Sequence, residues 1–143
     1  MARLFRTRSE EETIALGREL APSLRGCVLL IGNLGAGKTT LTKGIVEGLG
    51  AGWGDLVSSP TYTLIHQYGE VFHVDLYRLD EMREVEGLGL EDLFAGGGVV
   101  LIEWGERFLE LMPAERTEIR LKVVAAEGTE EEREIEIREP AGR

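Results

Sequence analysis

The sequence predicts an α/β domain in which a mainly parallel central sheet is flanked by helices, with antiparallel strands added to it. Two unbroken apolar runs, at residues 27–31 (CVLLI) and 99–102 (VVLI), support this prediction, because strands that are covered on both faces need apolar side chains throughout. A helical pattern between the two runs is the third observation. The length of 143 residues favours a single domain over residues 1–143.

The N-terminal segment predicts a short strand followed by a capped helix. Residues 4–6 (LFR) form the strand, and Ser9 with Glu12 matches a capping box, in which the two residues satisfy each other's free backbone N–H groups. The helix then covers residues 10–20 and ends before Pro22.

The first apolar run is predicted to be the middle strand of the sheet, and a helix follows it over residues 38–49. In this helix Leu41, Ile45 and Leu49 recur at four-residue spacing on one side. The second half of the chain predicts a hairpin, an interrupted helix, the second buried strand and an antiparallel C-terminal hairpin. In order, these cover residues 61–67 with 71–76, 81–93, 99–102, and 119–123 with 135–137.

The charge balance excludes some classes of function. Asp and Glu number 26 against 16 Lys and Arg, and the resulting net charge of −10 repels phosphate backbones, so independent binding of DNA or RNA is not expected. No apolar run approaches the roughly 18 residues of a membrane span, and residues 1–12 lack the apolar core of a signal peptide. We therefore expect a cytoplasmic protein without membrane association. The single Cys27 is expected in the core.

A glycine-rich motif is the strongest functional signal. Residues 32–39 (GNLGAGKT) match the P-loop pattern of Gly, four residues and Gly-Lys-Thr, between an apolar strand and an amphipathic helix. The glycines let consecutive N–H groups surround phosphates, Lys38 reaches the β and γ phosphates, and the Thr39 hydroxyl binds Mg²⁺. Thr40 is expected beside the α phosphate. The motif predicts a P-loop NTPase-like domain that binds a nucleotide; the alternative is a glycine-rich turn with an exposed lysine.

Two carboxylates end predicted strands and are candidates for the acid that holds or orients hydrated Mg²⁺. Glu103 ends the run VVLIE, and Asp75 ends the shorter, polar-interrupted run VFHVD. Glu103 is favoured as the metal-side acid because its strand is the more apolar. The alternative for each residue is an ordinary surface acid at the end of a strand.

Other polar and aromatic residues carry weaker signals. Residues 58–61 (SSPT) place hydroxyl groups on a loop, where they suit either a switch segment that senses the γ phosphate or an ordinary turn. His66 and His73 have no second metal ligand at a suitable spacing and are interpreted as plain strand residues. Trp104 follows Glu103 directly, so it lies either near the nucleotide or in the usual position of a partly buried aromatic residue.

Four motifs in a fixed order resemble the signature of the bacterial TsaE (YjeE) family. They are residues 32–40 (GNLGAGKTT), 59–63 (SPTYT), 73–79 (HVDLYRL) and 102–104 (IEW). The resemblance implies an ATPase that is needed to make threonylcarbamoyladenosine at position 37 of tRNAs reading codons that begin with adenine. It further implies an accessory subunit that uses ATP and Mg²⁺, acts with the TsaD and TsaB proteins, and does not itself transfer the threonylcarbamoyl group.

The resemblance also implies roles for individual residues. Lys38 and Thr39 keep the roles given above, and Glu103 matches the Mg²⁺ ligand of the family. Asp75 matches an essential acid of the family, so the resemblance favours a functional role for it over that of an ordinary acid at the end of a strand. Thr61 matches a threonine in a switch-like segment.

Two further positions are implied by the resemblance alone. Glu10 lies in an N-terminal segment that approaches the nucleotide in the family, and Arg133 is a candidate for the base side. Asn33 departs from the family, which often has Asp there. The residues expected to act in catalysis are Lys38, Asp75 and Glu103, those expected to bind the metal are Thr39 and Glu103, and those expected to contact the nucleotide are Glu10, Gly35, Ala36, Gly37, Lys38, Thr39, Thr40, Thr61 and Arg133.

Two other functions remain open on the sequence. A small-molecule P-loop kinase would also begin from this motif, although the chain shows no Arg-rich lid to enclose a phosphoryl acceptor. A nucleotide-gated binding module would use ATP only to order a docking surface, without essential hydrolysis. Screening acceptors for phosphorylation tests the first, and partner binding with hydrolysis blocked tests the second.

Overall fold

One sheet of seven strands organises the computed structural model, which describes residues 2–33, 35–51, 64–124 and 132–140. Its strands are β1 (Ala2–Thr7), β2 (Gly26–Ile31), β3 (Ile65–Tyr68), β4 (Val71–Asp75), β5 (Val99–Glu103), β6 (Thr117–Val123) and β7 (Arg133–Arg138). The helices are α1 (Glu10–Leu20), α2 (Lys38–Gly48), α3 (Met82–Glu86) and α4 (Leu90–Ala95), with 3-10 turns at Ala21–Ser23 and Gly105–Leu111.

The sheet has a parallel centre and antiparallel margins, as predicted. Its strand order is β1-β7-β6-β2-β5-β4-β3, with β2 in the middle. The four strands β6, β2, β5 and β4 run parallel, whereas β1 and β7 on one side and β3 on the other pair antiparallel. One apolar cluster packs under α1 and α2, and a second packs under α3, α4 and the Gly105–Leu111 turns. The predicted α/β class is therefore confirmed.

The parallel strands bring the predicted functional segments to one edge of the sheet. β2 ends where the P-loop begins, and β4 and β5 end at Asp75 and Glu103. Asp75 lies level with Glu103 in the β4–β5 register, and Glu103 lies level with Leu30 of β2. Ligands of open α/β sheets bind at this carboxyl edge, so the topology alone places three candidate segments together.

Most predicted boundaries agree with the structure within a few residues, but three details of the prediction differ from it. The Ser9 hydroxyl accepts the Glu12 N–H, but the Glu12 carboxylate accepts the N–H of Arg8, so the second half of the capping box is shifted by one residue. The strand predicted over residues 61–67 is Ile65–Tyr68, and residues 61–63 lie outside the described residues. The turns at Gly105–Leu111 follow no helical period and were not predicted.

Cys27 occupies the core, as predicted. It is 2% exposed on the middle strand, and burial raises the pKa of its thiol to about 12. The thiol therefore remains protonated and behaves as a small apolar side chain. Within the described ranges, no helix combines the length and hydrophobicity needed to cross a membrane.

Helices α1 and α2 approach so closely that glycine is required between them. A Cβ atom on Gly44 would lie 2.0 Å from the carbonyl oxygen of Ile14, and one on Gly17 would lie 2.6 Å from that of Leu41. Both neighbours are backbone atoms, so a side chain would have to move a whole helix. This contact fixes α2, the helix that follows the P-loop motif, against α1.

We expect Gly44→Ala to lower the free energy of unfolding by about 3 kcal/mol, because the added methyl group overpacks this contact. Gly87→Ala is the matched control, since Gly87 has φ −66° and its nearest atoms to an added Cβ are 3.5 Å away. The control should change stability by less than about 0.5 kcal/mol. Urea unfolding of both variants measures the difference, and equal midpoints would contradict the close packing.

Candidate functional site

The loop between β2 and α2 carries the predicted P-loop motif, and two of its glycines adopt a left-handed backbone. Gly35 and Gly37 have φ of 81° and 105°, in the left-handed region that side chains rarely adopt. Gly37 caps α2 and has no side chain to accept hydrogen bonds, which leaves the first N–H groups of the helix available to an anion. The loop is also held against β6, since a Cβ on Gly32 would lie 2.6 Å from the carbonyl oxygen of Leu121.

Lys38 is the first residue of α2, and its side chain is buried. The residue is 5% exposed, its Nζ lies 3.7 Å from Glu103 Oε1, and it lies 4.2 Å from the centroid of the Trp104 ring. Among the described residues, Nζ has no hydrogen-bond partner. A buried ammonium group with unused donors is poorly compensated, and binding of an anion would compensate it. This contradicts the alternative of an exposed lysine on a glycine-rich turn.

Trp104 reaches this position through an unusual backbone conformation. Its φ is 68°, which is uncommon for a bulky residue and is found mostly where function or packing requires it. The Lys38 ammonium group lies over the indole ring, and the centroid of the Tyr77 ring is 5.3 Å from that of the indole. Trp104 is partly buried against the second apolar cluster, as one interpretation predicts, and it also lines the candidate site. Its position near a nucleotide stays a prediction.

The two predicted acids lie side by side at the ends of β4 and β5. Glu103 and Asp75 are 5% and 3% exposed, so neither is an ordinary surface acid. Glu103 Oε2 lies 2.5 Å from His73 Nε2, while its Oε1 faces Lys38. Asp75 Oδ1 accepts the N–H of Tyr77 at 2.9 Å, which fixes its side chain at the edge of the sheet.

His73 is the residue that the sequence interpretation missed. The sequence predicts a plain strand residue, and His73 does lie on β4, but its side chain is fully buried and hydrogen-bonded to Glu103. One signal was present: His73 and Asp75 are two residues apart on one strand, so both side chains lie on the same face of the sheet. His66, the other histidine, lies on the edge strand β3 near the Tyr68 hydroxyl and takes no part in this cluster.

Arg133 connects the C-terminal hairpin to the P-loop. Its Nε donates to the carbonyl oxygen of Ala36 at 2.9 Å, and its Nη2 donates to that of Gly35 at 3.2 Å. These bonds hold the loop from the side of β7, at the point where β7 also pairs with the end of β1. The side chain therefore supports the shape of the loop as well as lining the space beside it.

We expect Arg133→Ala to raise amide hydrogen exchange in residues 35–40 by about 10-fold, because two charge-assisted hydrogen bonds to the loop are lost. Arg138→Ala is the matched control: Arg138 lies on the same strand and donates to Glu136 at 3.1 Å, away from the loop. Exchange measured by mass spectrometry should be unchanged in the control. Equal protection of the loop in both variants would contradict the supporting role.

A cavity of about 300 Å³ collects most of the predicted site residues. Its lining comes from α1, the P-loop, α2, the ends of β4 and β5, and the start of β7. The lining residues are Glu10, Gly35, Gly37, Lys38, Thr39, Thr40, Asp75, Glu103, Trp104 and Arg133. Ala36 is buried and contributes its carbonyl group to Arg133. Thr61 lies outside the described residues, and its role stays a prediction.

A larger cavity, of about 910 Å³, lies at the opposite edge of the sheet, beside the first residues of β2, β4 and β5. Size alone would favour it. The smaller cavity is the candidate site because it lies at the carboxyl edge and combines the P-loop, a buried cation and two buried carboxylates.

One more acid stands close to this cluster. Burial raises the pKa of Glu106, and the charges of Lys38, Arg107 and Arg120 partly offset this increase. Glu106 follows Trp104 in the Gly105–Leu111 turns, and its Oε1 has no hydrogen-bond partner within the described ranges. Glu106 is therefore a third acid near Lys38, in addition to Asp75 and Glu103 at the strand ends.

Comparison with known proteins agrees with these motifs. The family profile described as "Threonylcarbamoyl adenosine biosynthesis protein TsaE" matches residues 7–135. The chain is 42% identical over 137 residues to the tRNA threonylcarbamoyladenosine biosynthesis protein TsaE of Bacillus subtilis, covering 92% of this chain and 82% of the relative. It is 41% identical over 138 residues to the protein of the same name from a Nostoc species, covering 90% and 80%.

A solved structure has the same fold. The crystal structure of YdiB from Bacillus subtilis superposes with a TM-score of 0.74 at 36% identity, covering 96% of this chain and 84% of that one. Because the family profile and relatives of about 40% identity both extend over most of the sequence, the chain belongs to the TsaE family of threonylcarbamoyl adenosine biosynthesis proteins.

Proposed function

We propose that this protein binds ATP with Mg²⁺ and hydrolyses it as an accessory subunit in the threonylcarbamoyladenosine modification of tRNA at position 37, together with TsaD and TsaB. The observation that carries the proposal is the one cavity that joins a P-loop motif, a buried Lys38 whose Nζ has no hydrogen-bond partner among the described residues, and the buried carboxylates of Asp75 and Glu103. The pathway in this proposal is inferred from family membership, and the activity is inferred from the residues of the cavity.

Nucleotide phosphates fit the loop on electrostatic grounds. The positive-φ glycines and the first turn of α2 offer N–H groups and the positive end of a helix dipole. Lys38 adds a full positive charge that no described residue hydrogen-bonds. Although the chain carries a net charge of −10 and three acids line the same cavity, the loop and the first turn of α2 therefore offer cationic or neutral donors to a phosphate group.

The residues present also fit Mg²⁺ held jointly with phosphates. Within the described ranges no group of three or more His, Cys, Asp or Glu side chains could hold a metal ion by itself. That suits Mg²⁺, which keeps several waters and binds through one or two protein oxygens plus phosphate oxygens. The Thr39 hydroxyl and the Glu103 carboxylate would hold it, and the ion would neutralise charge on the β and γ phosphates.

Asp75 is proposed to orient the attacking water or the waters around the metal. Its carboxylate is buried next to Glu103, and one of its oxygens is held by the N–H of Tyr77. A fixed carboxylate can accept a proton or a hydrogen bond from water at a defined position, which is how P-loop enzymes orient the nucleophile. Lys38 stabilises the charge that develops on the transferred phosphoryl group.

The proposal is tested by steady-state ATP hydrolysis with Mg²⁺, for the protein alone and with the matching TsaD and TsaB proteins. We expect hydrolysis that the partners stimulate strongly and that the Lys38→Ala variant lacks. Unchanged hydrolysis with no complex formed would argue against the accessory role. Phosphorylation of an added nucleoside or nucleotide would favour a kinase, and partner binding that persists with hydrolysis blocked, without loss of modification cycles, would favour a binding module.

A cytoplasmic location follows from this proposed role in tRNA modification. Independent binding of nucleic acid is not part of the proposal, because the accessory subunit need not grip the tRNA itself.

A further inference from the structure

Three charged or polar side chains form a buried row that begins with Lys38 and Glu103 in the cavity lining and continues from Glu103 to His73. Lys38 comes from α2, Glu103 from β5 and His73 from β4, and their side chains are 4%, 6% and 0% exposed. The Glu103 carboxylate lies in the middle, with His73 Nε2 at 2.5 Å from Oε2 and Lys38 Nζ at 3.7 Å from Oε1. The two oxygens of one carboxylate therefore have different neighbours.

The contact with His73 is the one that fixes the carboxylate. At 3.7 Å, Lys38 attracts Glu103 electrostatically but makes no hydrogen bond with it, whereas the His73 contact lies within hydrogen-bond distance. Both His73 and Glu103 are held by neighbouring parallel strands, whose register pairs His73 with Leu101 and Asp75 with Glu103. The imidazole is thus part of the rigid sheet, and the bond it makes restricts rotation of the carboxylate.

The surroundings of the ring indicate which nitrogen donates. His73 Nδ1 is buried and has no hydrogen-bond partner among the described residues. A neutral imidazole has one N–H donor and one acceptor nitrogen. With the proton on Nε2 the ring donates to Glu103, and no buried N–H is left without a partner. The opposite tautomer would bring a lone pair against the carboxylate and leave the Nδ1–H unpaired.

We propose that His73 is a positioning residue for Glu103: its Nε2–H holds Oε2 and leaves Oε1 directed toward Lys38 and the place where a cation would bind. This inference rests on the proposed Mg²⁺-nucleotide site and adds a residue to it. Outer partners of metal ligands orient the ligand, and their loss weakens metal binding by about 10- to 100-fold.

The test compares variants that keep or remove the donor. His73→Gln keeps an N–H donor at a similar reach, and His73→Leu removes it while filling the space. His66→Gln is the matched control, because His66 is the cross-strand partner of His73 but lies outside the cluster. We measure Mg²⁺ binding to the protein–ADP complex by calorimetry, and in the nucleotide-free protein we record the nitrogen-bound proton of the His73 ring by NMR.

We expect His73→Leu to weaken Mg²⁺ binding by about 10- to 100-fold, with ADP binding in the absence of Mg²⁺ unchanged. His73→Gln and His66→Gln should stay within about threefold of the parent protein. In the nucleotide-free protein, the Nε2 proton of His73 should show slow exchange with solvent, and its resonance should move in Glu103→Gln.

Equal loss in His73→Gln and His73→Leu would overturn the inference, because ring shape rather than donation would then matter. So would a folded His73→Leu with unchanged Mg²⁺ binding, or a His73 ring with no proton on Nε2. If His73→Leu does not fold, His73→Asn replaces it, since its shorter amide does not reach Glu103. Absence of any nucleotide binding in the parent protein would instead refute the proposed function, and the NMR result would still decide where the His73 proton lies.

Discussion

Lys38→Ala is expected to weaken ATP binding by about 1000-fold. Two charge-assisted hydrogen bonds from the ammonium group to phosphate oxygens would contribute roughly 4 kcal/mol, and each 1.4 kcal/mol corresponds to tenfold. The effect should be large here because Nζ is buried and has no hydrogen-bond partner within the described residues. The ammonium group therefore breaks no hydrogen bond to a described residue when it binds a phosphate.

Calorimetric titration with a non-hydrolysable ATP analogue measures this change. Lys43→Ala is the matched control, since Lys43 is also on α2 but does not line the cavity. The control should bind within about threefold of the parent protein, and urea unfolding should show that both variants are folded. Binding by Lys38→Ala within tenfold of the parent would refute the phosphate-binding role of the lysine.

Glu103→Gln is expected to lower kcat for ATP hydrolysis by about 100- to 1000-fold at saturating Mg²⁺. The amide has nearly the same shape and can still accept a hydrogen bond from His73, so the substitution removes the charge and preserves the packing. ATP binding without Mg²⁺ should not weaken, because the substitution removes the negative charge of Glu103 beside Lys38 Nζ, and that charge repels phosphates.

Single-turnover hydrolysis and Mg²⁺ titration separate these two effects. Glu110→Gln is the matched control, because Glu110 is an exposed acid in the same Gly105–Leu111 segment. Glu103→Ala should lose turnover as well. Hydrolysis by Glu103→Ala at the parent rate in saturating Mg²⁺ would show that the metal assignment is wrong.

The fold was predictable because its signals are local. The two apolar runs identified β2 and β5, and the P-loop pattern identified the turn and helix between them. Once the central strands are parallel, their carboxyl ends must meet, which brings the P-loop, Asp75 and Glu103 together without further information. Glu10 and Arg133, by contrast, entered only through resemblance to a family, since no local pattern connects them to the loop.

Ranking the two acids by the hydrophobicity of their strands had less basis. Glu103 was favoured because its strand is more apolar, yet the structure buries Asp75 and Glu103 to nearly the same extent and in direct register. Their neighbours differ instead: Glu103 faces Lys38 and His73, whereas Asp75 accepts the N–H of Tyr77. Such differences arise from pairing between distant strands, which the sequence does not state, and for the same reason the interpretation missed His73.

Pairing between the first and last strands has a consequence for the order of folding. Ala2 pairs with Arg138 and Thr7 with Arg133, so this ladder closes a loop of nearly the whole chain, and such contacts form slowly because of their entropic cost. Glu10 begins α1 three residues after the last residue of β1, and Arg133 begins β7, so the wall of the cavity that they form depends on that late event. Nucleotide binding should therefore return in the final phase of refolding, after the helices have formed, and a chain emerging from the ribosome cannot complete the cavity before β7 is free.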